Sequence, residues 1–258
     1  MGKSTVTFER RGPAGWITLR RPLIDGATLS ALCDACESAS SDAEVRAIVV
    51  CGEGDVFSTG WDFASFAGES PDALLESLRA AGVLGDPFGC FAESPKPVIA
   101  AVNGDAMGGG LALALAADIR IASDGARSGL PEADAGMLPL GGAIARLTRL
   151  VGRGKALEMV LTGKLIDAAE ALRIGLVGEV VARGELEARA QAVAERLAKR
   201  GPIALQYAKE AVVRGLDMPL EQALRFETDL TVILQTTEDR AEGVRAFLEK
   251  RPPEFKGR

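Results

Sequence analysis

Three short motifs combine residue types and spacing that could do chemistry, and the first is a run of three glycines. Gly108-Gly109-Gly110 follows a turn at Asn103-Gly104 and opens an apolar run typical of a helix. Glycine lets a ligand approach the backbone closely. The N–H groups of a first helical turn have no partner within the helix and can bind an anion. The alternative is a close packing contact between this helix and a strand.

The other two motifs supply a second backbone segment and a carboxylate. Phe57–Asp62 (FSTGWD) follows a short apolar strand and could present another N–H group, although an ordinary loop has the same pattern. Pro131-Glu132 lies in an apolar neighbourhood, where burial would raise the pKa of the carboxyl group and suit it to moving protons. Asp134 could hold that role instead, and a solvated loop carboxylate is the non-functional alternative.

The chain contains no histidine, which excludes several kinds of site. A Ser-His-Asp triad, a Cys-His pair and a histidine-ligated metal cannot exist here. Cys33 and Cys36 form a C-x-x-C, but no second pair completes a zinc site, and both fall in a helical pattern. We therefore predict no metal, and we expect acid–base work to fall to the remaining titratable side chains.

The composition narrows the class of protein further. A net charge of −6 argues against nucleic-acid binding. No apolar run reaches the roughly 18 residues of a membrane span. The N-terminus lacks the apolar segment of a signal peptide, and the few cysteines suggest no disulfide framework. We therefore expect a cytoplasmic protein without nucleic-acid or membrane partners.

Strands and helices alternate through about residue 125 and predict an α/β fold with parallel strands. Apolar or alternating runs predict strands at 5–10, 15–21, 46–51, 97–102 and 118–122, with helices at 27–40 and 106–117. Residues 65–95 mix helical pieces with Gly/Pro breaks. Beyond Gly141 the pattern is almost entirely helical, at 142–151, 154–162, 167–173, 184–199, 203–214, 219–236 and 238–249. Gly201-Pro202 suggests a boundary before the last three helices.

The three motifs occur in an order that resembles the crotonase (enoyl-CoA hydratase/isomerase) family. VFSTGWD is followed by KPVIAAVNGDAMGGG and then LPEADAGM, and the tail EGVRAFLEKRPPEFKGR is also similar. The resemblance implies a crotonase-like ββα spiral core over residues 1–200 and a C-terminal helical region for trimerisation over 201–258. It also implies a homo-oligomer, either a trimer or a dimer of trimers.

The resemblance also implies roles for individual residues. The backbone N–H groups of Trp61 and Gly109 would bind the oxygen of an acyl-CoA thioester, and Glu132 would be the acid–base carboxylate. CoA would be part of the substrate, with no separate cofactor. The remaining positions implied to contact substrate or CoA are Arg21, Leu23, Ile24, Thr59, Gly60, Asp62, Phe63, Gly108, Pro131, Phe247 and Lys250.

One departure from the family pattern affects the predicted reaction. The position of the second catalytic carboxylate of the hydratases, two residues after the triple glycine, is Ala112. A single Glu132 favours double-bond isomerisation or related lyase chemistry through a thioester enolate. Two alternatives remain. One is a 2-enoyl-CoA hydratase of fatty-acid β-oxidation in which another residue replaces the missing carboxylate. The other is a CoA-binding protein without turnover, because a fold does not fix a function.

Overall fold

The computed structural model describes residues 4–66 and 70–258. Its strands are β1 Val6–Arg11, β2 Ala14–Leu19, β3 Leu23–Ile24, β4 Ala47–Gly52, β5 Val56–Ser58, β6 Gly60–Trp61, β7 Val98–Val102, β8 Asp105–Met107, β9 Ile119–Ser123, β10 Arg127–Gly129, β11 Ile166–Asp167 and β12 Glu179–Val181. Its helices are α1 Gly26–Ser41, α2 Pro71–Ala80, α3 Gly89–Ala92, α4 Gly109–Ala116, α5 Ala143–Val151, α6 Arg153–Thr162, α7 Ala168–Arg173, α8 Leu186–Ala198, α9 Pro202–Gly215, α10 Leu220–Leu234 and α11 Glu238–Glu249. Short 3-10 helices occur at Phe63–Phe66, Pro131–Ala135 and Arg183–Glu185.

The chain alternates between a large and a small sheet. The large sheet has the order β1-β2-β4-β7-β9-β12, and only its first pair is antiparallel. The small sheet has the order β11-β10-β8-β5, in which β5, β8 and β10 are parallel. Three parallel strands of the large sheet, β4, β7 and β9, are each followed directly by a strand of the small sheet, β5, β8 and β10. This confirms the predicted ββα spiral and its C-terminal helical region.

The large sheet is apolar on both faces because its central strands alternate apolar side chains between two clusters. Ile48 and Val50 of β4 belong to the larger cluster, together with residues of α1 and α4. Val49 of the same strand points the other way, into a smaller cluster that α8 covers. Parallel strands buried on both faces read as continuous apolar runs, which explains why AIVVC and VIAAV were readily predicted.

Several predicted elements need correction. The helix predicted over 106–117 begins only at Gly109, because Asp105–Met107 forms strand β8. The region beyond Gly141 is not purely helical, since it contains the strands β11 and β12. The 65–95 region has helical pieces, as predicted, at α2 and α3. Residues 67–69 of that region lie outside the described residues.

A polar contact joins α9, the first of the last three helices, to the core. Lys209 Nζ of α9 lies 2.9 Å from Asp118 Oδ2, and the same oxygen accepts a hydrogen bond of 2.7 Å from Val98 N–H at the start of β7. The chain end folds back on α11, where the Asp239 carboxylate accepts from the N–H groups of Lys256 and Gly257. Among the described residues, no helix has the length and apolarity needed to cross a membrane.

Candidate active site

The site lies where three parallel strands of the small sheet end. The strands β5, β8 and β10 are neighbours, so their carboxyl ends share one edge of the sheet. Each of them leads directly into one of the three predicted motifs. β5 leads into Gly60-Trp61, β8 into the triple glycine, and β10 into Pro131-Glu132. Clefts at the carboxyl ends of parallel strands are common ligand sites.

The triple glycine is required because other groups lie where its side chains would be. At Gly108 the φ angle is +51°, and a Cβ atom would lie 2.7 Å from Glu132 Oε1. At Gly109 a Cβ would lie 2.6 Å from Trp61 Cε2, and at Gly110 it would lie 2.4 Å from the Ser58 carbonyl oxygen. The packing alternative from the sequence therefore holds as well, since the same glycines let α4 approach the strands and admit two functional side chains.

Two backbone N–H groups, those of Gly109 and Trp61, belong to segments that are in close contact. Gly109 is the first residue of α4, so its N–H has no acceptor within the helix, and no described side chain caps this end. Asp62 N–H donates to the Ile24 carbonyl oxygen at 2.8 Å. Successive N–H groups of a strand point to opposite sides, so Trp61 N–H is directed away from β3. A Cβ at Gly60 would lie only 3.3 Å from Gly109 N, so the two segments are in close contact.

Glu132 is a buried carboxyl group without a partner. Only 5% of the residue is exposed, and neither Oε1 nor Oε2 has a hydrogen-bond partner in the described part of the chain. Burial raises the pKa of Glu132 above its ordinary value, because removal of water disfavours the charged form. Pro131 begins the 3-10 helix that carries this side chain. A carboxyl group in this state can take up and release a proton.

Asp134, the other carboxylate considered for this role, lies elsewhere. It is exposed, and its Oδ1 would lie 3.2 Å from a Cβ at Gly163, the residue that ends α6. Of these two carboxylates, Glu132 is therefore the one that faces the triple glycine.

The Trp61 side chain fills the space beside Ala112. The indole is stacked on Phe88, with ring centroids 5.5 Å apart and an interplanar angle of 19°. A Cβ at Gly141 would lie 3.0 Å from Trp61 Cζ2 and 3.3 Å from the Ala112 Cβ, so these groups meet at one point. Sequence reasoning did not identify Phe88 or Gly141 as part of the site. The Gly141-Gly142 pair, with φ near +75° at both positions, was the available signal.

The other residues predicted to contact substrate or CoA divide into two groups. Arg21 donates to Asp62 at 2.8 Å and to Asp25 at 2.6 Å. Leu23 and Ile24 pair with Gly60 and Trp61 in a two-stranded parallel sheet. Exposed Thr59 donates its N–H to the Pro22 carbonyl oxygen, and half-buried Phe63 begins the next 3-10 helix. This first group therefore adjoins the site.

The second group consists of Phe247 and Lys250, at the end of α11. Phe247 is 82% exposed and lines an apolar cavity of about 390 Å³ among the C-terminal helices, with Leu234, Val244 and Phe255. Lys250 ends α11 in a left-handed conformation and is exposed. Within one chain, this cavity does not include any residue of the triple-glycine site.

Comparisons with known proteins agree with this architecture. Residues 11–258 match the family model described as enoyl-CoA hydratase/isomerase. A protein of Rhizobium meliloti named "Probable enoyl-CoA hydratase" is 41% identical over the full length of both chains. A carnitinyl-CoA dehydratase of Salmonella enteritidis is 40% identical, covering 98% of this chain and 99% of the relative. The crystal structure of an enoyl-CoA hydratase from Bacillus anthracis superposes with a TM-score of 0.90 at 35% identity, covering 98% of this chain and all of the other. The chain belongs to the enoyl-CoA hydratase/isomerase family.

Proposed function

We propose that the protein catalyses the reversible hydration of 2-enoyl-CoA thioesters. The observation that carries this proposal is the buried, unpartnered Glu132 carboxyl beside the start of α4, where Gly109 N–H has no side-chain cap. The names of the relatives, which include a hydratase and a dehydratase, support the same reaction. They favour hydration over the isomerase or lyase reaction that Ala112 suggested from the sequence.

One carboxyl group can serve both proton transfers of the hydration. As the water oxygen bonds to the β-carbon, Glu132 takes a proton from that water. The thioester oxygen becomes an enolate, which the N–H groups of Trp61 and Gly109 stabilise. The protonated Glu132 then returns a proton to the α-carbon, so that one water is added across the double bond. Removing one such N–H donor costs roughly 100- to 1,000-fold in rate at comparable sites.

The CoA portion would lie along the segment that joins β3 to β6. We propose that Arg21, Leu23, Ile24, Thr59, Gly60, Asp62, Phe63, Gly108 and Pro131 line it. Phe247 and Lys250 would serve a neighbouring subunit in a trimer or a dimer of trimers. Exposed apolar residues on the C-terminal helices support such an assembly, among them Leu216, Leu220 and Leu248. The molar mass measured by light scattering tests it. A cytoplasmic location is also proposed, and the four free cysteines support a reducing compartment.

The reaction is tested with crotonyl-CoA, following the loss of the enoyl thioester absorbance. We expect Glu132→Gln to lower the hydration rate by about 100- to 10,000-fold, as removal of a general acid–base group does. Asp134→Asn is the matched control, since it neutralises an exposed carboxylate two residues away, and it should hydrate at the wild-type rate. A Glu132→Gln variant as active as wild type would disprove the assignment.

Isomerisation of 3-enoyl-CoA is the second candidate reaction, and one specific observation favours it. Ala112 is completely buried among apolar groups, so no second carboxylate is present at that position. A single carboxylate is sufficient to move a proton between C2 and C4. The two reactions are separated by supplying 3-enoyl-CoA and crotonyl-CoA to the same preparation. Turnover of 3-enoyl-CoA alone would show that the protein is an isomerase and not a hydratase.

A further inference from the structure

The two tryptophans of the chain differ in what their indole N–H groups contact. Both are buried, with Trp16 1% exposed and Trp61 3% exposed. Trp16 Nε1–H donates to Gln191 Oε1 at 2.9 Å. Trp61 Nε1–H has no acceptor in the described part of the chain. A buried donor without a partner lowers the stability of the folded state by about 1–3 kcal/mol. The unpaired indole N–H of Trp61 therefore needs an explanation.

The unpaired polar atoms of the described residues are concentrated at one place. Four buried side-chain atoms lack a partner, and three of them are Trp61 Nε1 and the two Glu132 oxygens. The fourth, Thr28 Oγ1, belongs to α1. Glu132 Oε1 would lie 2.7 Å from a Cβ at Gly108, and Trp61 Nε1 would lie 2.8 Å from a Cβ at Gly109. The donor and the carboxyl group thus lie against two consecutive glycines, and the space beside Gly108 and Gly109 is the crevice of the proposed site.

The indole is held in this orientation by its neighbours. Phe88 stacks against it, and Phe66 meets it edge to face, with centroids 6.5 Å apart. Close contact with Gly109 and Gly141 leaves no room for the ring to turn towards another acceptor. An indole N–H only donates, so the group that completes this site must be an acceptor.

The crevice also lacks the polar group that a hydration would need to hold its water. Ala112, beside the indole, is completely buried and apolar. If the proposed hydration is correct, Glu132 alone would have to hold a water molecule that needs at least two contacts to be oriented. Trp61 Nε1–H is the remaining unpaired group in the described crevice that can make the second contact.

We propose that Trp61 Nε1–H donates a hydrogen bond to the oxygen that is added to, or leaves from, the β-carbon of the acyl chain. During hydration the water oxygen accepts from Nε1–H while one of its protons passes to Glu132, and the oxygen bonds to the β-carbon. During dehydration Glu132 returns that proton to the departing hydroxyl group, and Nε1–H stabilises the negative charge that develops on the oxygen. This role rests on the proposed hydration and adds a side-chain function to a residue otherwise used through its backbone.

The first test is the Trp61→Phe variant, which keeps the backbone donor and an aromatic ring and removes only the indole N–H and its ring volume. We expect kcat for crotonyl-CoA hydration to fall about 10- to 100-fold, the loss of one hydrogen bond to a charged oxygen. KM should change little, because the CoA contacts remain. Trp16→Phe, the matched control in the other cluster, should keep the wild-type kcat. Any 3-enoyl-CoA isomerisation should be reduced less than hydration in Trp61→Phe, since no oxygen is present at the β-carbon in that reaction.

The second test does not depend on a site variant. The wild-type protein labelled with ¹⁵N in its tryptophans should give two indole N–H resonances, assigned with Trp16→Phe. Binding of 3-hydroxybutyryl-CoA should shift the Trp61 signal downfield, whereas butyryl-CoA, which lacks the β-oxygen, should not.

The possible outcomes separate this inference from the reaction on which it rests. A wild-type enzyme that hydrates crotonyl-CoA, with an unchanged kcat in Trp61→Phe and equal indole shifts for both ligands, would overturn the role of Trp61 alone. An equal loss of hydration and isomerisation in Trp61→Phe would also overturn it, because the N–H would then act on the shared thioester. If the wild-type protein had no hydratase activity, the proposed function itself would be wrong, and the role of Trp61 in hydration with it.

Discussion

Trp16 and Trp61 belong to apolar clusters on the two faces of the large sheet. The two clusters differ in whether their buried polar groups have hydrogen-bond partners. On the α8 face, the Trp16 N–H is paired with Gln191, and Gln191 in turn donates to the Arg11 carbonyl oxygen. On the other face, Trp61 and Glu132 present three polar atoms without partners. Groups left unsatisfied at a cost in stability are expected at functional sites. Both faces are packed apolar clusters, and the contrast places the unpaired polar atoms on the face that carries the proposed site.

The largest expected effect is on the pH dependence of activity. In the proposed hydration Glu132 acts as a carboxylate, so the rate should fall tenfold per pH unit below the pKa of that group. Because burial raises this pKa, the fall should begin at a higher pH than for an ordinary glutamate, whose pKa is about 4.3. The pH profile of kcat/KM for crotonyl-CoA measures it. An acidic limb no higher than that of a free glutamate would contradict the unpaired, desolvated state of Glu132.

The raised pKa of Glu132 also makes the stability of the folded protein depend on pH. A carboxyl group with a raised pKa in the folded state stabilises the protein most below its unfolded pKa, and this contribution is lost as the pH rises through the folded pKa. The free energy of unfolding of the wild type relative to Glu132→Gln should therefore decrease over that range. Chemical denaturation at a series of pH values provides the control for the kinetic profile.

The next largest effect concerns the close approach that forms the site. Gly110→Ala would place a Cβ 2.4 Å from the Ser58 carbonyl oxygen and 2.6 Å from its Cβ, so the backbone of α4 or β5 must move. We expect a loss of about 3 kcal/mol or more in the free energy of unfolding, as for a severe overpacking change. Gly154→Ala in α6 is the control, because nothing lies within 4 Å of its Cβ, and it should stabilise the protein by about 0.5 kcal/mol. Equal stability of the two variants would show that α4 is not closely packed on β5.

A smaller effect tests the two tryptophans directly. Trp16→Phe and Trp61→Phe remove similar buried volumes, but only the first leaves a hydrogen-bond partner, Gln191 Oε1, without its donor. We expect Trp16→Phe to be the less stable variant by about 1 kcal/mol, the typical net contribution of one hydrogen bond. Urea denaturation of both variants measures the difference. A Trp61→Phe variant that is equally or more destabilised would mean that the Trp61 N–H is paired within the folded chain.

How far the sequence predicts this structure depends on the length of each element. Strands of five or six residues, such as Ala47–Gly52 and Val98–Val102, carry a recognisable apolar run and were predicted. The strands of the small sheet have two or three residues, too few for a period to appear, and Arg127–Gly129 has no apolar side chain. They form because a neighbouring strand, distant in sequence, supplies the pairing.

The candidate site likewise combines features that the local sequence predicts with features that depend on distant segments. Gly109, Trp61 and Glu132 were identified from their motifs through the family resemblance, and the structure brings their segments together. The inward position of the indole between Phe88 and Ala112 was not predicted, because it depends on the packing of segments that lie far apart in the chain. Local patterns therefore indicate candidate residues for the chemistry, while tertiary packing decides which of their atoms remain unpaired.

The smallest expected effect concerns the side chains that pack on the two tryptophan rings. Arg11 lies over the Trp16 ring, with Cζ 4.6 Å from the centroid, whereas the Trp61 ring is covered by Phe88. Arg11→Met should cost about 0.5 kcal/mol through the lost cation–π contact, since the exposed ion pairs of Arg11 with Glu9 and Glu187 contribute little. In a Trp16→Leu background the contact is already absent, so the same substitution should cost correspondingly less. A double-mutant cycle by urea denaturation measures this coupling, and a coupling energy of zero would show that Arg11 acts only through its ion pairs.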